Sequence, residues 1–409
     1  MIKRRWAIWL VAISWVSLAA VAAAQQYVTP GAQPVVTQGA QSLPYGGVPA
    51  LRVAPDGAVH LDGPGAAYSQ PTYAATVGQP VPVQAPATQG MGPVAKWLYN
   101  DPVPWQYNHR TAVFGDFLYV RPRNAEVAYA LPIDGVVALG DEVPVGPVAI
   151  VDQEYEPAFR AGAIVRLTDG ASIRGQYTYF RSENSDAVTI APPNVLRSLV
   201  THPLSMNAAT DTLDANARQD IDFDLVDIDY RGLIVGCESC GDAKCAILLN
   251  GIIGGRYVNF EQEFTSSFEV LGTTTVDTNI DFRGGGIRLG LEGEHHATST
   301  GLFVYGSSIL NLMVGEFEAN YRQTNSLNGV EATTSWTAGR IVPSIDLELG
   351  LGWVGPRRRL KFSGGYLVST WFNVVKTDDW IDAVQESDYN DLSGVITFDG
   401  LVARVMWEF

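Results

Sequence analysis

The stretch LKFSGGYLVSTWFNVV, residues 360–375, decides how this chain is read. Leu360, Phe362, Tyr366, Val368, Phe372 and Val374 fall on one face, with Lys361, Ser363, Ser369 and Asn373 opposite. A period of two marks a β-strand with one apolar and one polar face. The run is far longer than the roughly five or six residues of an ordinary strand. The alternation recurs at 345–353, where Ile345, Leu347, Leu349, Leu351 and Trp353 oppose Asp346, Glu348, Gly350 and Gly352. It recurs again at 172–180 (Ile173, Gly175, Tyr177 and Tyr179 against Arg174, Gln176 and Thr178) and at 157–167 (Phe159, Ala161, Ala163, Val165 and Leu167 against Arg160, Gly162 and Arg166).

Working outward, the pattern predicts strands at 111–121, 156–167, 171–183, 217–230, 245–265, 276–294, 299–321, 335–353, 359–376 and 395–409. Short connections at 168–171, 294–299 and 354–359 alternate with long ones at 122–155, 184–216, 322–334 and 377–394. The segments 231–244 and 266–275 are intermediate. Long alternating strands, with short turns on one side and long loops on the other, describe an antiparallel up-and-down transmembrane β-barrel, here of about ten strands (8–12). The alternation slips near Leu225, Gly284-Gly285-Gly286 and Gly315, as bulges would make it do. Pro343 must sit where a missing N–H does no harm.

The C-terminus carries the sharpest signal. Leu401, Ala403, Val405, Trp407 and Phe409 alternate to a terminal aromatic residue. Val405, Trp407 and Phe409 resemble the element read by the outer-membrane barrel assembly machinery. Trp353 and Trp407 fit an aromatic girdle at the periplasmic interface.

At the other end, residues 1–24 read as a signal peptide: Lys3, Arg4 and Arg5, an apolar run, then Ala22-Ala23-Ala24 before Gln25. Its removal takes the formal charge from −16 to −19. Residues 25–96 are Pro, Gln and Ala rich and nearly uncharged, which predicts a disordered periplasmic tether, able to touch cell wall. Residues 97–110 are an aromatic pre-barrel segment with Trp97, Tyr99, Trp105 and Tyr107, and 111–409 form the barrel.

The composition excludes several functions. With 27 basic against 43 acidic residues there is no basic patch for nucleic acid. Five His and three Cys give little for metal or triad chemistry. Cys237, Cys240 and Cys245 read as a disulfide with one sulfur over, since no His stands close enough in sequence to complete a zinc site. His295 and His296 read as solvated turn residues. Only His202, in a long loop, could meet acidic partners as a hydrolase requires, so no catalytic residue, metal or cofactor is expected.

Two stretches carry a resemblance. FGDFLYVRPRNAEVAYALP (114–132) and YEPAFRAGAIVRLTDGASIRGQYTYFRS (155–182) resemble the opening hairpin of the Legionella-type major outer-membrane protein family, and GGRYVNFEQ (254–262) fits the same pattern. The resemblance covers roughly 111–409 and implies an outer-membrane location and a pore; it supplies no catalytic signature.

The lumen carries what remains. Arg160, Arg166, Arg174, Asp346, Glu348, Lys361 and Arg404 fall on the polar face, which should point inward because charge on the lipid face costs a few kcal/mol near mid-bilayer. Asp220, Asp222 and Asp224 alternate with Ile221, Phe223 and Leu225, which predicts an inward acidic row that draws cations. The expected function is a small or gated pore for ions or small solutes, weakly cation-selective. The alternative is a closed barrel acting as structural anchor or surface-binding protein, since ten strands enclose little more than their own side chains.

Overall fold

The computed structural model describes residues 109–135, 143–205, 208–237, 245–269, 272–297 and 300–409. The signal peptide (1–24), the tether (25–96), the pre-barrel segment up to residue 108 and Cys240 lie outside the described residues, as do the side chains of Cys237 and Cys245.

Among the described residues fourteen elements follow in order: β1 (Ala112–Arg123), β2 (Val127–Ile133), β3 (Ala149–Val151), β4 (Glu156–Thr168), β5 (Ala171–Thr189), β6 (Val195–Ser198), β7 (Asp214–Cys237), β8 (Cys245–Glu269), β9 (Thr273–Ala297), β10 (Leu302–Asn325), β11 (Gly329–Val354), β12 (Leu360–Val374), α1 (Thr377–Glu386) and β13 (Gly394–Glu408). Ten of these strands close into an antiparallel barrel in the order β1-β13-β12-β11-β10-β9-β8-β7-β5-β4. β2, β3 and β6 form a separate three-stranded sheet. Closure is made by β1, which pairs β13 from Ala112↔Glu408 to Arg123↔Thr397 and β4 on its other side. No edge is left there for another chain to template.

The wall is uneven in height. β5 and β7 to β11 extend further at the loop end than β4, β1, β13 and β12. The β11–β12 ladder stops at Ser344↔Trp371, although β11 begins at Gly329. Pro343 lies one residue beyond that stop, so its missing N–H breaks no rung there. Because β8 to β11 run so far, the expected long segments 266–275 and 322–334 are mostly strand, joined at 270–272 and 326–328. The other long connections fold inward. Segments of 124–155 and 190–213 supply β2, β3 and β6, and 375–393 supplies α1.

The slips at Leu225, the 284–286 glycines and Gly315 are not bulges. Pairing runs unbroken through Leu225↔Val258, Val258↔Gly284 and Gly284↔Gly315, which form one cross-strand row. Side-chain parity is constant and polarity inverts. On the turn side of the row, Val226, Ile228 and Tyr230 face out and Asp227 and Asp229 face in. On the loop side, Ile221, Phe223 and Leu225 are buried inside, while Asp222 and Asp224 are on the outer face. β10 does the same: Leu310, Leu312 and Val314 face out below Gly315, and Phe317, Ala319 and Tyr321 face in above it.

Such an inversion marks the edge of a bilayer, because outward groups meet hydrocarbon below it and water above. The apolar run from Leu302 to Val314 covers about twelve steps of 3.3 Å. At the usual tilt of about 40° it spans roughly 30 Å, the thickness of a hydrocarbon core. Glycines occupy the row at 284 and 315, where a Cβ at Gly315 would clash with the Arg283 carbonyl oxygen of the neighbouring strand.

Placing Arg on the belt should therefore be costly and above it nearly neutral. Ile228→Arg is expected to lose about 2–4 kcal/mol of folding free energy in lipid, whereas Asn320→Arg, on the outer face above the row, should stay within about 0.5 kcal/mol. Urea titration in vesicles measures both. Equal losses would contradict the boundary.

Candidate functional site

Below the row the lumen is polar and its charges are paired across the barrel. Asp116, with no exposed side-chain surface, accepts from Arg160 Nε at 2.6 Å and Arg404 Nε at 2.8 Å. Arg160 Nη2 then reaches Glu348 Oε2 at 2.9 Å, joining β4 to β11 across four strand positions. Asp227 holds Arg256 at 2.7 Å and also pairs Arg288, while Arg256 Nη1 meets Asp346 Oδ2 at 3.0 Å. Asp229 takes Arg288 Nε at 3.0 Å and Arg174 Nη2 at 2.8 Å. Nearer the turn end, Arg231 pairs Glu292 at 2.6 Å, and Lys361 pairs Glu408 at 2.8 Å. His109 bonds Ser172 at 2.7 Å and Asn250 at 3.1 Å, so the chain enters β1 from inside the rim. Charges in so dry a space persist only when paired, because desolvation costs each several kcal/mol.

Above the network the lumen is apolar. Phe180, Phe223, Phe260, Trp371 and Phe398 pack ring on ring: Phe180–Phe223 at 5.1 Å, Phe223–Phe398 at 5.0 Å and Phe260–Trp371 at 5.5 Å between centroids. Phe223 and Trp371 lie 6.1 Å apart although β7 and β12 stand opposite each other in the wall. The aromatic layer crosses the whole lumen.

A cap sits above it. Val127, Tyr129, Val151, Leu196 and Val200, with Trp380, Ile381 and Val384 of α1, join one core with Phe264, Phe268, Phe317 and Tyr321 of the wall. Lumen-facing amides clamp the cap backbone: Gln219 Nε2 to the Ala125 carbonyl at 2.9 Å, and Gln262 Nε2 to the Val375 carbonyl at 2.8 Å. Trp380 Nε1 donates to the Asn320 carbonyl at 3.2 Å.

Between rim and aromatic layer lies a cavity of about 200 Å³, reaching Arg110, Arg358 and Glu408 at one end and Phe223, Trp371 and Phe398 at the other. Of the residues expected to face the lumen, Arg160, Arg174, Asp346, Glu348, Lys361 and Arg404 line it. Arg166 does not; it is exposed at the rim and pairs Asp169. The expected inward row Asp220, Asp222 and Asp224 is on the outer face. Asp220 pairs Arg218, Asp222 pairs Arg181 and Asp224 accepts from Tyr177. The expectation that charge points inward applies only at bilayer depth, and these residues stand above it. His296 is not a solvated turn residue either: it is buried, bonded to Glu294 at 2.6 Å and stacked on Phe303. His202 caps a turn, its Nδ1 accepting the Leu204 N–H at 3.3 Å.

Sequence reading missed Asp116, Asp227, Asp229, Arg256 and Arg288. Asp227 and Asp229 were within reach, since they alternate with Val226, Ile228 and Tyr230. Among the described residues no group of three or more His, Cys, Asp or Glu is placed to hold a metal ion.

A closed ten-stranded barrel with an apolar belt and a paired polar lumen is an outer-membrane β-barrel. The model of the family described as Legionella pneumophila major outer membrane protein precursor matches residues 106–408, and the chain belongs to that family. No curated protein matches the sequence. Among solved structures the chain is similar to the outer membrane protease OmpT from Escherichia coli, at 9% identity, covering 74% of this chain and 97% of that one, with a TM-score of 0.41. It is also similar to the Pseudomonas putida toluene transporter TodX (7% identity, 76% and 93%, TM-score 0.23) and to a Pseudomonas aeruginosa FadL homologue (9% identity, 73% and 90%, TM-score 0.21). Identities and scores this low transfer neither activity nor ligand.

Asp116→Ala leaves Arg160 and Arg404 with Glu348 as their remaining shared partner. The expected loss is about 3–5 kcal/mol, as for other broken buried pairs. The midpoint of heat-modified gel migration should drop accordingly; an unchanged midpoint would mean the network does not hold the barrel.

Proposed function

We propose that this outer-membrane barrel is shut to through-passage and serves as an anchor that presents a folded cap at the cell surface, with a polar chamber opening toward the periplasm. The contact between Phe223 and Trp371 from opposite walls carries this reading, because a lumen crossed by packed rings has no continuous water path. The cap supports it. The weakly cation-selective pore loses its basis, since the acidic row meant to select cations is on the outer face. Recognition of Val405, Trp407 and Phe409 by the assembly machinery, and contact of residues 25–96 with cell wall, are further parts of the proposal. They rest on sequence alone.

A gated pore has one observation in its favour: the cap consists of connections, which move more cheaply than wall strands. Planar-bilayer recording separates the two. The full-length protein should be electrically silent, and so should a variant lacking 377–392, because the aromatic layer remains. Phe223→Ala combined with Trp371→Ala should conduct. Steps from the unaltered protein would overturn the closed reading, and steps only after removal of 377–392 would establish a gate.

The cap also carries a pH dependence. Burial pushes the Asp379 carboxyl up to about 6, repulsion from Asp378 adds to this, and Lys376, 3.6 Å away, opposes it. The docked helix then binds this proton more tightly than the undocked one. Docking should strengthen as pH falls through about 6 and weaken as it rises. A nitroxide at position 386, with the three cysteines changed to Ser, should be less mobile at pH 5 than at pH 7.5. Asp379→Asn should shrink the difference to what Asp382, also pushed up by burial, contributes.

A further inference from the structure

The chamber beneath the aromatic layer is built to distinguish ligands by charge and shape. Among the described residues nine cationic side chains line it against five carboxylates. Three further carboxylates, Asp116, Asp227 and Asp229, balance the arginines from behind: their side chains have no exposed surface, whereas Arg160, Arg174 and Arg404 keep 13%, 11% and 16%. Charge is therefore nearly compensated overall, while on the chamber's own lining the cationic groups outnumber the carboxylates. An entering ion meets this cationic excess, and a cation meets it before it reaches the three covered carboxylates. Planar guanidinium groups offer donors in the fork that carboxylates match.

The far end has the opposite character. Phe223, Trp371 and Phe398 close it with ring surface, and Leu225 and Leu367 flank them. At about 200 Å³ the space would hold about seven waters at roughly 30 Å³ each, and a dry cavity of about 150 Å³ suffices for one benzene ring.

We propose that the chamber binds a small amphipathic organic anion from the periplasmic side, its ring or short apolar chain against Phe223, Trp371 and Phe398 and its carboxylate against Arg160 and Arg404. This names a ligand class for the chamber of the closed barrel and rests on that reading. Burial of the apolar end supplies affinity, and the cationic excess of the lining supplies the sign preference.

Calorimetry on the full-length protein in lipid nanodiscs tests it, with phenylacetate, acetate and benzylamine as probes. Phenylacetate should saturate at one site per chain, acetate should bind at least tenfold more weakly, and benzylamine should give no saturation. Affinity for phenylacetate should fall between 50 and 500 mM salt as the charges are screened. Trp371→Leu should weaken phenylacetate at least fivefold and leave acetate unchanged. Should that variant fail to fold, the comparison of the three probes on the unaltered protein still decides. Benzylamine binding as well as phenylacetate, or no saturable phenylacetate site, would overturn the proposal. The closed reading fails separately: a protein that conducts and also binds phenylacetate would lose its seal and keep its site.

Discussion

One wall touching two solvents is the constraint on which the rest of the structure depends. Strands of up to 26 residues are too long for a bilayer alone, so each long strand passes from hydrocarbon into water partway along. Side-chain parity cannot change at that point without a bulge, so the chemistry changes instead. Below the row from Leu225 through Gly284 to Gly315 the outer face is apolar and the inner face ionic; above it the outer face is charged and the inner face apolar.

Both lumen compartments follow from that inversion. In the membrane half, polar residues have nowhere to go but inward, and in so narrow a barrel they must neutralise one another. Hence the chains Asp116–Arg160–Glu348 and Asp227–Arg256–Asp346. In the outer half the inward residues are apolar and would line an empty trough, because four of the ten strands stop short. The connections fill that trough: β2, β3, β6 and α1 bury their apolar sides against Phe264, Phe317 and Tyr321. The aromatic layer lies where the two halves meet. The proposed closure of the lumen thus follows from wall geometry.

Much of the fold was legible because strand alternation needs no knowledge of neighbours. All ten wall strands came from period two, and the inward placement of Arg160, Arg174, Asp346, Glu348, Lys361 and Arg404 from period two with the rule that charge avoids lipid. Asp220, Asp222 and Asp224 were placed on the wrong face because alternation gives two faces without saying which is inside, and the rule used to decide, charge inward, assumes lipid outside. The slips at Leu225 and Gly315 held the correction, but a polarity inversion and a bulge leave the same trace in one strand. Only pairing with the neighbours separates them. The inward fold of 122–155, 184–216 and 377–394 was beyond reach, since it depends on the unequal heights of strands far apart in sequence.

The most direct test is a depth profile along one strand. Nitroxides placed singly at outward positions of β9, from 277 to 291, report collision with oxygen, enriched in lipid, and with a water-soluble nickel chelate. The expected profile is nickel access from 277 to 283 and oxygen access from 287 to 291, crossing at the 284–286 glycines. Oxygen access along the whole span, or a crossing displaced by more than about four residues, would contradict a bilayer edge at that row, and with it the separation of an ionic chamber from an apolar outer half.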